Sequence, residues 1–355
     1  MESLHWRYNF DQARFELINN DPNQHYEPLL KRVSIPTLVI DINLVTLENF
    51  REYIINVLNQ ASVNYINFEQ VIFEHTQDPT YDYDSKCNIL NDLSQSLGIK
   101  FYFAHVRFAT TTHSHLEELI YPNQIIFHRR RVTPCWTDVV EKRYKFSCLN
   151  RNPSIHRLIL YTLLKQQNLL EHFIYTFYDR CPYNGFKYGP TQYVDLSKYV
   201  NTDFKSLCLS NLADFPLSWD NELNGGGNDH TIGHAAFQDT WCHIVTETSM
   251  TIPYASEKTW KPIASGQLFL IAAAPGILKW LKSLGFYVFD VSYDSEPDLF
   301  KRLQLIVEIV KNNVDNPGEW WNQNKKYIEH NYYQFHNGNV EKKLLEPIIA
   351  QLNHK

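Results

Sequence analysis

The chain has six cysteines (Cys87, Cys135, Cys148, Cys181, Cys208 and Cys242), but no Cys-x-x-Cys pair and no zinc-finger spacing. Scattered thiols of this kind read as reduced residues, not as a disulfide frame. The longest apolar stretch, Leu268 to Ala274, falls far short of the roughly 18 residues that a membrane span requires. The segment Met1 to Leu17 lacks the charged-then-apolar order of a secretory leader, so a soluble cytoplasmic protein is expected. No Gly-x-Gly-x-x-Gly follows a strand, which disfavours a nicotinamide-dependent oxidoreductase. There is no excess of basic charge: the formal net charge is −6, which does not favour general nucleic-acid binding. The basic run His128 to Arg131 is the local exception: it could meet phosphate, although short runs of this kind are usually solvated turns. Internal repeats and low-complexity tracts are also lacking.

The 355 residues are 44% hydrophobic and 20% charged, an ordinary globular composition long enough for two compact domains. Aromatic residues reach 14%; most belong in a core, although rings of this kind also suit sugars and bases. Short apolar runs at Thr37–Asp41, Tyr65–Phe68, Val71–Phe73 and Phe101–His105 read as buried strands. Helical patterns fall over Leu44–Leu58 and Ser85–Leu97. A second alternation opens with a strand at Lys145–Leu149 and a helix over Ile155–Gln167. Strands at Ile174–Phe177 and Cys242–Thr246 follow, on either side of an irregular stretch from Tyr183 to Asp239. A short helix from Glu257, a strand at Leu268–Ala272, a helix over Gly276–Leu284 and a strand at Tyr287–Asp290 come next. Two long helices, Pro297–Val314 and Pro317–Tyr332, complete the pattern. The expected architecture is α/β with two largely parallel sheets. Its expected parts are an N-terminal domain (1–140), a C-terminal domain (144–320) and a helical segment (321–355) packing back on the first.

The chemistry concentrates between Glu247 and Gly266. Ser256 is a good helix N-cap, and Glu257 and Lys258 fall in the first turn that it opens. A helix N-terminus favours phosphate through its free N–H groups and dipole, and Lys258 adds a full charge. Glu257 can accept hydrogen bonds from a ribose diol. The loop Ala274-Pro275-Gly276 is expected on the same rim, where open α/β sheets bind ligands. A polar helix start with no ligand would look the same on these residues alone.

The pattern of Glu247, Tyr254, Glu257, Lys258 and Trp260, followed by Gly266 and a strand, resembles the donor-site signature of the α1,3-fucosyltransferase-like glycosyltransferases. It is similar over 145–177 and 244–294, and its run from Ser256 to Gly266 is closer still to sugar transferases of tailed phages and large viruses. It departs from the fucosyltransferase pattern at Thr248, where that family has Asn, and in lacking a Phe before Glu247. The resemblance implies a GT-B fold, two Rossmann-like domains facing each other across a cleft. It implies an inverting transfer from a GDP- or UDP-linked sugar, with the nucleotide sugar as co-substrate and neither cofactor nor metal. By position, Glu257 corresponds to the ribose-binding Glu, Lys258 to the diphosphate-binding Lys and Tyr254 to the nucleotide-contacting Tyr, with Glu247 and Ser256 beside them. Arg157, or in second place Arg151, corresponds to the phosphate-binding Arg, whose guanidinium forks onto two oxygens. The acceptor would be a glycan or the hydroxymethyl group of a modified DNA base.

An inverting transfer needs a general base for the acceptor hydroxyl. Glu74 is the first choice because it follows a strand; His75, Asp41, His105 and Arg107 share that setting as alternatives or as acceptor contacts. Asp82-Tyr83-Asp84 matches the Asp-x-Asp of metal-dependent transferases but is expected in a polar loop of the other half. A non-catalytic nucleotide-binding sensor or scaffold on the same fold is the competing reading.

Overall fold

The computed structural model describes residues 5–9, 14–17, 30, 32–42, 45–64, 66, 68–75, 83–105, 113–120, 141–150, 152–180, 186–217, 237, 239–251 and 255–354, with the backbone alone at 5, 9, 14–17, 41, 75, 105 and 120. The chain divides into two units, one of residues 1–127 and 340–355, the other of residues 128–339. Each is an α/β unit on its own sheet, as the alternation of strands and helices requires. The segment that returns to the first unit is shorter than expected and starts at Val340, so the helix preceding it belongs to the second unit. Among the described residues, no helix is long and apolar enough to cross a membrane.

The first unit has strands β1 (His5–Asn9), β2 (Arg14–Leu17), β3 (Thr37–Asp41), β4 (Gln70–His75), β5 (Lys100–His105) and β6 (Leu116–Ile120). Their order across the sheet is β2-β1-β3-β4-β5-β6, parallel throughout except for the β1–β2 pair. Helix α1 (Phe50–Val63) buries Phe50, Ile54, Val57, Leu58 and Ala61, the spacing of one apolar face. Helix α2 (Tyr83–Leu97) covers the sheet with Tyr83, Cys87, Leu90 and Leu93, against Phe73, Phe101 and Phe103. Two expectations change here. Ile66 and Phe68 lie outside any strand and pack on the core as partly buried side chains; the strand starts at Gln70. Tyr83 and Asp84 are not in a loop but open α2; Asp82 lies outside the described residues.

The second unit has strands β7 (Tyr144–Leu149), β8 (Phe173–Thr176), β9 (Thr240–Thr246) and β10 (Leu268–Ala272), ordered β10-β9-β7-β8 and all parallel. Helix α3 (Ile155–Gln166) joins β7 to β8, and the chain then returns to place β9 on the other side of β7. Part of the return is ordered, contrary to the expectation of an irregular stretch. It contains a 3-10 helix, Pro190–Lys198, and helix α4 (Thr202–Ser210), which Asn201 caps by accepting from Phe204 N. After β9 come α5 (Glu257–Ala264), α6 (Ile277–Ser283), α7 (Leu299–Asn313) and α8 (Pro317–His336). The strand expected at Tyr287–Asp290 does not form. Asn331 takes its backbone groups instead, accepting from Tyr287 N at 2.7 Å and donating to Tyr287 O at 2.9 Å. A side chain thus does what a neighbouring strand would have done.

Helix α9 (Asn339–Asn353) belongs to the first unit from Val340 onward. It buries Leu345, Ile348, Ile349 and Leu352, and Asn353 and Gln351 fasten its end by accepting from Ser34 N and donating to Glu117.

Candidate active site at the carboxyl edge of the second sheet

Strand order reverses between β7 and β9, because the chain leaves β7 toward β8 and comes back on the other side. The crevice beyond the carboxyl ends of two such strands is where open α/β sheets hold ligands. The residues leaving these two strands are stitched together across that point. Thr246 and Asn150 pair through Thr246 Oγ1 and Asn150 Oδ1. Arg157, in the first turn of α3, donates to Thr246 O at 3.1 Å and to Asn152 O at 3.2 Å. Burial, opposed by the nearby Glu247 and Glu257 carboxylates, holds the Arg157 pKa below its ordinary value. Its Nε–H is buried without a hydrogen-bond partner among the described residues. His156 donates from Nε2 to Glu247 O at 2.9 Å. Burial, reinforced by Arg157, holds that imidazole down to about 3, so it stays neutral, and the Glu247 carbonyl fixes the Nε2–H tautomer.

Glu247 faces inward. Its side chain is completely buried; Oε1 accepts from Ser256 N at 2.9 Å and Thr259 Oγ1 at 2.6 Å, and Oε2 from Ser256 Oγ at 2.7 Å. Burial raises its pKa, with Lys258 and the Ser256 and Thr259 donors pulling the other way. This carboxylate, expected among the donor contacts, is spent on clamping the N-terminus of α5 to the end of β9. It is a positioning residue in this geometry. Ser256 is the N-cap, as its type and place predict, accepting from Lys258 N at 3.2 Å.

Glu257 and Lys258 are what α5 presents at its positive end. Lys258 Nζ lies 2.8 Å from Glu257 Oε1, 3.2 Å from Ser256 Oγ and 3.3 Å from Thr248 Oγ1. Burial works against the lysine's charge, but Glu257 and Glu247 outweigh it and raise its pKa. Burial likewise works against the Glu257 carboxylate, yet Lys258 and then Lys261 hold it down to about 2. Both groups are therefore charged across the neutral range, a cation and an anion side by side at a helix N-terminus. A diphosphate suits the first and a sugar diol the second.

The neighbouring loop offers less than expected. Asp294 already occupies the start of α6, accepting from Leu278 N at 2.9 Å and Lys279 N at 3.0 Å, while its carbonyl takes Gly276 N. Arg302, which sequence reasoning missed, is buried beside this rim; it donates to Glu296 O at 2.8 Å and Met250 O at 3.3 Å. Nothing in its helical surroundings distinguishes it from a surface arginine. Thr259 was missed as well, because its hydroxyl donates to Glu247, a partner twelve residues back that no N-cap pattern announces.

Tyr254, Arg151 and Arg107 lie outside the described residues, as does His128 to Arg131. In the first unit, Asp41 pairs in register with Glu74, and His75 with His105, so the four share the carboxyl edge of that sheet. The Glu74 side chain is buried there, at 4% exposure.

No family profile matches the chain, and no curated protein matches it by sequence. Solved structures with a similar course of the chain include a UDP-forming α,α-trehalose-phosphate synthase from Burkholderia xenovorans. That match has TM-score 0.44 and 9% identity, and covers 90% of this chain and 74% of the synthase. An α1,3-fucosyltransferase matches with TM-score 0.35 and 10% identity, over 87% of this chain and 91% of its own.

Proposed function

We propose that the chain is an inverting, metal-independent glycosyltransferase of the GT-B type that uses a GDP- or UDP-linked sugar. The observation that carries this reading is the convergence of Arg157, Glu257, Lys258 and the capped start of α5 on one strand-order reversal. Sugar transfer with inversion needs positive charge on the departing diphosphate, a contact for the nucleotide ribose and a base for the acceptor. Lys258, Arg157 and the helix end supply the first, fixed in place before substrate arrives. Glu257 fits the second, with Tyr254 assigned beside it from sequence alone and Arg151 kept as the alternative to Arg157 for the first. Ser256 and Glu247 position both.

We assign the base to the carboxyl edge of the first sheet, Glu74 foremost, with His75 and Arg107 as acceptor contacts. The acceptor hydroxyl would attack the anomeric carbon as its proton passes to the base and the diphosphate leaves with the bonding pair. A glycan acceptor needs only access to that base. A hydroxymethylated DNA base would have to be flipped from its stack. Release of nucleoside diphosphate from a panel of nucleotide sugars, measured with and without glycan or hydroxymethylated-DNA acceptors, tests the reading. A donor that binds but is never turned over with any acceptor would support a non-catalytic sensor instead.

A further inference from the structure

The proposed transfer leaves unused a cluster in the first unit that the fold assembles from residues far apart in sequence. Cys87 on α2, Glu118 on β6 and His113 just before β6 each bring one donor atom into the same small volume. The three atoms all lie within 4.8 Å of one another. Cys87 is fully buried, and the side chains of His113 and Glu118 are only 13% and 2% exposed. His113 Nε2 is 3.3 Å from Glu118 Oε1. The other carboxylate oxygen, Oε2, accepts from Tyr83 Oη at 2.7 Å, and the Tyr83 ring packs on Phe103 with centroids 5.1 Å apart.

We propose that Cys87, His113 and Glu118 bind one zinc ion, with a water as its fourth ligand, which fastens the start of β6 to α2. Zinc takes sulfur, imidazole and carboxylate donors at about 2.0–2.3 Å in a tetrahedron, which puts ligand atoms roughly 3.3–3.8 Å apart. The His113–Glu118 separation of 3.3 Å already has this value, and no separation in the cluster has to close by more than about 1.5 Å. The charges also suit burial: one thiolate and one carboxylate neutralise the dication, and the imidazole binds neutral. Binding releases the thiol proton of Cys87 to solvent, so affinity rises with pH.

Tyr83 has the place of an outer partner that orients a ligating carboxylate. Asn91 of α2 adds to the same attachment by accepting from His115 N at 2.8 Å. A Cys–His–Glu nucleophilic relay is the obvious rival for these residue types. In a relay the imidazole stands between thiol and carboxylate, which keeps those two groups apart. Here all three donors meet, and the thiol has no solvent exposure from which to attack a substrate.

The test uses the full chain, stripped with a chelator and then given Zn²⁺ or Co²⁺ alone. One equivalent of zinc should remain after desalting and should raise the Tm. The cobalt form should show tetrahedral d–d bands and a near-ultraviolet thiolate-to-cobalt band that is lost in Cys87→Ser. His113→Ala and Glu118→Gln should each weaken zinc binding at least about tenfold, and Tyr83→Phe, which keeps every ligand, about tenfold. Far-UV circular dichroism checks that each variant folds; if Cys87→Ser does not, His113→Ala and Tyr83→Phe decide. Substoichiometric zinc in the folded wild type, or a cobalt spectrum without a thiolate band, overturns the site. So does alkylation of Cys87 by iodoacetamide at a rate that depends on His113. None of these readouts uses sugar transfer, so the outcome is independent of the proposed activity.

Discussion

Replacing Lys258 by alanine removes the one full positive charge that α5 presents at its N-terminus, and its two effects separate. Without ligand the ammonium is paired with Glu257 at 2.8 Å, the two side chains being 28% and 17% exposed. A pair with that much solvent contact contributes about 0.5–1 kcal/mol, so the variant stays folded with a slightly lower Tm. With nucleoside diphosphate present the loss is larger, because a charge-assisted phosphate contact is worth about 1.5–3 kcal/mol. That corresponds to a Kd raised about 10- to 150-fold. Glu257 is then left without its counter-ion beside the phosphates, which pushes the effect toward the upper end. Lys258→Arg keeps the charge and should lose much less. Calorimetric titration of GDP and UDP at one fixed ionic strength measures this, since salt screens phosphate contacts. A folded Lys258→Ala protein that binds its diphosphate as tightly as the wild type would place the donor site elsewhere.

Arg157→Ala should weaken diphosphate binding and also destabilise the fold by roughly 2–4 kcal/mol, because it leaves the Thr246 and Asn152 carbonyls without this donor; a urea melt reads the second effect directly. Transfer should persist in EDTA, and loss of turnover restored by Mg²⁺ or Mn²⁺ would contradict a mechanism in which Lys258 and Arg157 meet the diphosphate. Glu74→Gln should keep donor binding while lowering turnover roughly 10²–10⁴-fold. Normal turnover there, with His75→Ala or Asp41→Asn inactive, would move the base to that residue. Stability should also fall with acid. Burial holds His156 and His243 down to about 3, with Arg157 and Lys261 respectively adding to it, against an ordinary value of 6.5. The unfolded chain takes up these protons first. The stabilisation is therefore complete above pH 6.5 and is lost toward pH 3, at up to about 1.4 kcal/mol per pH unit for each histidine. Denaturant melts at pH 7.5 and 5.0 should differ by roughly 4 kcal/mol from the pair, and His243→Asn should remove about half of that. A stability that is flat between those two pH values would refute the assignment.

Much of the framework was legible because parallel strands buried on both faces read as unbroken apolar runs. Thr37–Asp41 and Leu268–Ala272 begin and end where the sequence puts them. So does the start of α5, since Ser before Glu-Lys is an N-cap signal that needs no tertiary information. Other features depend on partners distant in sequence. An apolar run at Tyr287 does not reveal that Asn331, on another helix, will take its hydrogen bonds. Strand β6 was hidden because Leu-Glu-Glu-Leu-Ile carries two carboxylates, and Tyr83 and Gln351 bind them only in the folded unit. Glu247 was recognised by residue type and spacing, but whether its carboxylate turns outward to a ligand or inward to Ser256 and Thr259 is a matter of packing.

The return of α9 to the first unit sets the order in which the nascent chain can mature. The second unit is one continuous segment, 128–339, and holds its own sheet complete once that segment has been made. The first unit begins earlier but lacks Leu345, Ile348, Ile349 and Leu352 until α9 has been made. Synthesis ordinarily favours folding from the N-terminus onward. Here the unit begun first is finished after the second, and until then Ser34 and Glu117 lack the partners that Asn353 and Gln351 bring to them.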